Sequence, residues 1–172
     1  LQTWRLRAAV YKEPKFPMTS KYTDENPGSI DPDALRQAED VIEQLRWTYI
    51  REWAPAAMSE IEGAVQGVNT SLKSGLPCRE FLDVIIHLTH DMKGQAGTFG
   101  LELLMDFAAS LNAFVMSHES IDLAAAEVIQ AHATAMRQVI ADVSVSPDGA
   151  VTAEMAEALS RDLRVLAQMR FN

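Results

Sequence analysis

The sequence predicts an all-α fold, an up-and-down antiparallel four-helix bundle with extra helices at its N- and C-terminal ends. Between residues 31 and 172, apolar residues recur every three or four positions in segments of about 17 to 23 residues, which is the period of an amphipathic helix. Short turn sequences join these segments, and short connections favour antiparallel neighbours. Strand-like alternation of apolar and polar residues is nearly absent.

Residues 1 to 30 are predicted to form an extended N-terminal arm. This stretch contains three prolines and shows no sustained apolar period, which is typical of extended chain or of a linker. Residues 31 to 172 are predicted to form one helical domain, with a core from about 55 to 143. The length of 172 residues fits a single domain with an arm.

The net charge of the chain argues against a nucleic-acid partner. The chain carries −9 at pH 7 from 15 basic and 24 acidic residues. The arm holds five basic and three acidic residues, so residues 31 to 172 hold 10 basic and 21 acidic residues, a net charge of −11. Such a body repels phosphate backbones, and a nucleic-acid partner is not expected.

The sequence also indicates a compartment. No apolar run reaches the 18 or so residues of a membrane span, and no signal-peptide pattern is present. The single cysteine, Cys78, excludes an intramolecular disulfide. We therefore expect a cytoplasmic protein that neither crosses nor binds a membrane. Because the chain begins with Leu1 rather than Met, we expect that its start is trimmed or is not the native one.

The first predicted helix begins at Asp31-Pro32, because Asp is favoured as an N-cap and Pro at the first helical position. Pro55 is expected to break or kink this helix. We expect it to pack outside the four-helix core. Its apolar residues at roughly 3.6 spacing are Leu35, Ala38, Val41 or Ile42, Leu45, Tyr49 and Trp53.

The other helices follow from the same period. Gly75 and Gly100 are expected to end the helices that precede them, and Pro147 with Asp148-Gly149 predicts a loop. The predicted core helices cover about 56–73, 79–98, 101–117 and 121–143, and a last helix, packed outside, covers about 153–170.

The candidate site lies in residues 79 to 100, REFLDVIIHLTHDMKGQAGTFG. The apolar face expected to be buried comprises Phe81, Ile85, Leu88, Met92, Ala96 and Phe99. His90, Lys93, Gly94 and Gly97 share the opposite face, at i, i+3, i+4 and i+7. Each glycine inside a helix costs about 1 kcal/mol relative to Ala. Two glycines beside an exposed histidine indicate a site that an anionic group on another molecule approaches closely.

The segment HDMKGQAGTFG resembles the H-x-x-K-G-x-x-x-x-x-G signature of histidine-containing phosphotransfer (HPt) domains. The match covers His90, Lys93, Gly94 and Gly100. The resemblance covers roughly residues 55 to 143 and implies a four-helix bundle. It also implies that the histidine is phosphorylated reversibly, by exchange with an aspartate of a response-regulator receiver domain.

The chain departs from the family pattern at two positions of this signature. Met92 stands where Leu is usual, and Gln95 stands where Ser is common. Met and Leu have similar volumes, so the first change is conservative. Gln95 lies roughly 140° around the helix from His90, which predicts a structural role rather than a bond to the imidazole.

The resemblance assigns a role to each candidate residue. His90 is the expected phospho-acceptor, because a neutral imidazole has a ring nitrogen with a free lone pair. Lys93 is expected to neutralise phosphoryl oxygens as a point charge. The predicted partner-docking residues are Ile86, His87, Gly94 and Gly97. No cofactor is expected on this chain, because the Mg²⁺ would be bound by the receiver domain.

The sequence argues against two other kinds of site. His87 and His90 form an H-x-x-H pair, but bundle metal sites use inward-facing Glu-x-x-His pairs from facing helices, so no metal is expected. His118 and His132 are expected at the surface or boundary. No phosphate-cradling glycine loop is present, so the chain is expected to be a carrier rather than an enzyme.

Three hypotheses follow. In the first, the chain is a phosphorelay intermediate whose partners are receiver domains and a hybrid or sensor histidine kinase. In the second, it is a helical adaptor that binds a partner protein through the His90 face without phosphorylation. In the third, it is the phosphotransfer domain of a larger sensor or chemotaxis kinase. The sequence does not determine the oligomeric state.

Overall fold

The computed structural model describes residues 31–118 and 120–145, of which 89% are helical, with no strand among them. The predicted all-α class is therefore confirmed for this part of the chain. The arm of residues 1–30, the loop at 147–149 and the helix expected over 153–170 lie outside the described residues. The elements in order are α1 (Pro32–Thr48), a π-helical turn (Tyr49–Trp53), α2 (Ala54–Lys73), α3 (Arg79–Thr98), α4 (Glu102–Ser117) and α5 (Leu123–Val145).

Helices α2 to α5 pack against one another around a common core. The chain divides into the compact units Leu1–Leu35 and Arg36–Asn172, and these four helices belong to the second. Both α2 and α4 pack against α3 and α5. No described helix has the length and apolarity needed to cross a membrane. The largest fully buried side chains are those of Tyr49, Ile50, Met58, Ile61, Ile85, Met92, Leu104, Leu111, Ile129, Met136, Val65 and Val68.

The interruption expected at Pro55 takes the form of a π-helical turn rather than a break. Trp53 and Ala54 both have right-handed helical backbone angles, and the Ala54 N–H donates to the Tyr49 carbonyl. Proline lacks an N–H, and its ring clashes with the carbonyl four residues before it. A wider turn immediately before Pro55 lets the chain stay helical from α1 into α2.

In α1, the half-buried Trp47 packs against the core, but the predicted apolar face contributes little to it. No residue of α1 is buried, and Ile42 and Leu45 are 56% and 43% exposed. Burial begins only at Tyr49 and Ile50 of the π turn, which packs against α2 and α5. The spacing of about 3.6 residues correctly predicted that this segment is helical. The predicted N-cap is also present, because the Asp33 N–H donates to Asp31 Oδ1 at 2.9 Å.

Gly75 and Gly100 end α2 and α3, as the sequence predicts. Their φ angles are +67° and +69°, a region that L-residues with a Cβ rarely adopt. The Leu76 N–H donates to the Ser71 carbonyl at 2.8 Å, and the Leu101 N–H donates to the Ala96 carbonyl at 2.9 Å. This six-to-one bond satisfies a terminal carbonyl of each helix and fixes its end.

Candidate functional site

Helix α3 carries all six candidate site residues, and the core holds one of its faces. Ile85, Met92 and Ala96 are buried as predicted, and Leu82 and Thr89 are buried as well. Phe81, Leu88 and Phe99, which were expected in the same apolar face, are only half-buried. The buried face is therefore rotated slightly from the predicted one, because α2 and α4 pack on α3 from two sides.

His90 lies in the middle of α3 and is exposed. Residues three and four positions apart on a helix are neighbours on its surface, so Lys93 and Gly94 lie one turn beyond the imidazole. Of the other predicted residues, His87, Lys93, Gly94 and Gly97 are exposed and Ile86 is half-buried. The arrangement offers solvent a nucleophilic ring nitrogen, a nearby ammonium group and a stretch of bare backbone.

Gly94 and Gly97 have different surroundings. A Cβ built on Gly94 meets no atom within 4 Å, so packing within the described residues gives no reason for glycine there. A Cβ built on Gly97 would lie 3.1 Å from the sulfur of Met105 in α4. A side chain at Gly97 would therefore require the Met105 side chain to shift by a few tenths of an ångström. The cost of Gly94 to the helix, about 1 kcal/mol, is offset by no contact in the described structure.

Asn112 of α4 contacts the turn of α3 that carries His90, and sequence reasoning missed it. Its Nδ2 donates to the Ile86 carbonyl at 2.8 Å and to Thr89 Oγ1 at 3.0 Å. Thr89 is 0% exposed. A buried hydroxyl needs a hydrogen-bond partner. Two features of the sequence could have indicated this contact. One is a single amide inside the apolar run Leu111 to Val115, and the other is a threonine on the buried face of α3.

The C-terminal half of α3 is bonded to the chain before α2. The Tyr49 hydroxyl donates to the Met92 carbonyl at 3.4 Å, and its ring centroid lies 5.3 Å from that of Phe99. Arg46 Nε donates to the Phe99 carbonyl at 3.3 Å. Burial raises the pKa of Tyr49, so the phenol stays protonated and remains a donor. A cation at the carbonyl end of a helix is electrostatically favourable.

The expectation that His132 lies at the surface or boundary is wrong. Its side chain is buried between α4 and α5, where Nδ1 is 2.8 Å from the Val128 carbonyl and Nε2 is 3.0 Å from Ser110 Oγ. Since a carbonyl only accepts, Nδ1 carries the hydrogen and Nε2 accepts from the serine in the neutral ring. Burial lowers the pKa of His132. His118 is half-buried at the end of α4, in agreement with a boundary position.

Among the described residues, no group of three or more His, Cys, Asp or Glu side chains is arranged to hold a metal ion. His87 and His90 are both exposed on α3, and exposed pairs on one helix lack the ligands that facing helices supply in bundle sites.

Comparison with known proteins gives no relative. No protein-family model, curated protein or solved structure matches the chain. The function is therefore inferred from the residues of α3 and α4 and from their surroundings.

Proposed function

We propose that this chain is a histidine phosphotransfer protein of a two-component phosphorelay, which carries a phosphoryl group on His90 between aspartates of response-regulator receiver domains. The observation that carries the proposal is an exposed His90 in the middle of a helix whose other face is held in the core. Gly94, one turn away, has open space where a side chain would stand. The sequence signature shared with HPt domains supports the same function.

The chemistry needs little from this chain besides the imidazole. A neutral ring nitrogen attacks the phosphorus of the receiver's aspartyl phosphate in line with the leaving oxygen. The N–P bond forms as the P–O bond to the aspartate breaks, and the carboxylate leaves with the electron pair. The proton on the other ring nitrogen passes to solvent. The Mg²⁺ of the receiver stabilises the charge of the transferring group.

Lys93 has a supporting role in this proposal. Its ammonium group is exposed one turn beyond His90, at a spacing from which a flexible side chain reaches the ring. It would lower the energy of the phosphorylated state by neutralising part of the phosphoryl charge. The body of the chain is acidic and would otherwise repel such a group.

The docking surface for the receiver is proposed around the same helix. The exposed His87, Gly94 and Gly97 and the half-buried Ile86 surround His90 on α3. A partly apolar patch next to a reactive side chain suits partner binding. The same surface would serve a hybrid or sensor histidine kinase that belongs to the relay.

We also propose the finer architecture. Connections of a few residues between α2, α3, α4 and α5, together with their neighbour packing, support an up-and-down antiparallel bundle. In this arrangement α1 and the C-terminal helix are additions at its ends. The location is proposed to be cytoplasmic, where receiver domains and a reduced Cys78 would coexist.

The test is direct labelling. The purified chain is incubated with a phosphorylated receiver domain and Mg²⁺, and the label is characterised by its stability. Phosphohistidine is expected, with a label that is lost in acid and retained in base. His90→Gln should abolish labelling with unchanged helicity, while the control His118→Gln, at the end of α4 and outside the proposed docking surface, should still be labelled. Labelling that persists in His90→Gln would place the acceptor elsewhere.

The same experiment distinguishes the adaptor hypothesis from the phosphorelay proposal. Ile86 is half-buried one turn before His90 on α3, and it adds apolar area that a protein partner would cover whether or not phosphate is transferred. Binding of the receiver without any label on the chain would favour the adaptor. A label on His90 would exclude it.

A further inference from the structure

We infer that Asn112 is the positioning residue for His90, and that it acts through the backbone of α3 rather than on the imidazole. This inference rests on the proposed function of His90. Asn112 is half-buried on α4, and its Nδ2 lies 2.8 Å from the Ile86 carbonyl and 3.0 Å from Thr89 Oγ1. An amide nitrogen has two hydrogens, and both are used on α3.

The two groups that accept hydrogen bonds from Asn112 both belong to the helical turn that leads into His90. In an α-helix the N–H of residue i points to the carbonyl of residue i−4, so the Ile86 carbonyl is the backbone acceptor of His90. Thr89 is the residue immediately before His90, and its Oγ1 donates to the Ile85 carbonyl at 2.7 Å while it accepts from Asn112. The turn that presents His90 is thus bonded to α4 at two points.

These hydrogen bonds fix the position of α3 against α4 more tightly than apolar packing alone would. Helices that contact through apolar side chains tolerate small shifts and rotations with partial repacking. Two directional bonds from one planar amide fix both the height and the rotation of this turn of α3 relative to α4. Phosphoryl transfer depends on in-line placement, and a displacement of about 1 Å can cost about 100-fold in rate. Asn is also a poor helix former, so its place in the middle of α4 needs such a reason.

The experiment compares four variants of the full chain. Asn112→Ala removes both bonds, and Thr89→Val removes the hydroxyl. Thr89→Ser keeps the hydroxyl and serves as the conservative rescue. Thr98→Val is the matched control on the same helix, since Thr98 Oγ1 bonds only to the Gly94 carbonyl of its own helix among the described contacts, at 3.0 Å.

Two measurements are made on each variant. The first is the NMR exchange rate of the His90 backbone amide, expressed relative to core amides of α5 so that global stability cancels. The second is the rate of phosphoryl transfer from a phosphorylated receiver. Asn112→Ala and Thr89→Val should raise the relative exchange rate at His90 about tenfold and lower the transfer rate at least tenfold. Thr89→Ser and Thr98→Val should stay near the parent.

Each remaining outcome is decisive. Parent-like exchange at His90 in both Asn112→Ala and Thr89→Val would overturn the inference. A slower transfer with unchanged exchange would also overturn it, because Asn112 would then act directly on the ring or on the partner. If the parent chain accepts no phosphoryl group, the proposed function fails, and the exchange data alone decide whether Asn112 fixes the turn. If Asn112→Ala does not fold, Thr89→Val and Thr89→Ser supply the comparison.

Discussion

The hydroxyl of Tyr49 donates a hydrogen bond to the backbone carbonyl of Met92, 3.4 Å away and two residues beyond His90. Tyr49 stands where the helical path passes from α1 into α2, and it is 1% exposed. It therefore joins the start of the core to the half of α3 that follows the candidate acceptor. Burial raises the pKa of the phenol, so it remains a hydrogen-bond donor even above its ordinary pKa of 10.0.

Tyr49→Phe should lower the free energy of unfolding by about 1 kcal/mol at neutral pH, the typical net value of one hydrogen bond. A raised pKa in the folded state means that the stabilisation is complete below the reference pKa of 10.0 and is lost as pH rises above it. Urea denaturation at pH 8 and at about pH 11 measures both effects. The parent should lose more stability than Tyr49→Phe over this interval. An equal loss would show that Tyr49 does not titrate differently on folding.

His132 should make the fold sensitive to acid. Its pKa is lowered in the folded state, so its contribution to stability is complete above the reference pKa of 6.5 and falls as pH drops below it. His132→Leu removes the titrating group and fills a similar apolar space. The stability difference between parent and variant, measured by denaturation at pH 7.5 and about 5, should therefore change in favour of the variant at low pH. A constant difference would contradict the assignment of a neutral buried imidazole.

Gly94→Gln should stabilise the helix and block phosphoryl transfer. Replacement of an exposed helical glycine gains up to about 1 kcal/mol, while the new side chain fills the open space beside His90. Gly63→Gln is the matched control, because a Cβ on Gly63 of α2 also meets nothing within 4 Å. Thermal melting should show similar stabilisation in both variants, and a receiver-transfer assay should show loss only in Gly94→Gln. Normal transfer in Gly94→Gln would refute the close-approach role of this glycine.

Gly67→Ala should destabilise the protein, in contrast to changes at the exposed glycines. A Cβ on Gly67 would lie 2.7 Å from Cγ of Phe81, so α2 and α3 would have to separate or the ring would have to move. Overpacking of this kind typically costs about 1 to 3 kcal/mol. Chemical denaturation measures the loss, and Phe81→Leu in the same chain should restore part of it. A stable Gly67→Ala variant would show that the Phe81 ring reorients freely.

The fold was largely predictable because helix period and turn chemistry are local. The spacing of apolar residues predicted α3 over the range that the structure has, and Gly75 and Gly100 were correctly placed at helix ends. The same local rules predicted a break or kink at Pro55, but the structure has a π-helical turn just before it. A π-helical turn forms where it lets the chain keep its backbone hydrogen bonds and its packing against other helices. The residue type at one position does not predict it.

The candidate site was less predictable. The exposed positions of His90, Lys93 and Gly94 follow from helix geometry once the buried face is known. The roles of Asn112 and Thr89 do not, because residues 23 positions apart in sequence meet only when α3 and α4 pack. His132 was misplaced for the same reason, since its partner Ser110 lies on another helix.

The sequence by itself determined the helices, most of their ends and the residue types on the outer face of α3, since these depend on propensity and on a period of 3.6 residues. Only the tertiary structure decided which apolar faces are covered, so that Leu45 of α1 stays exposed while Thr89 of α3 is buried. Burial and hydrogen bonding between helices depend on which segments meet in space, and that choice is made by the whole core.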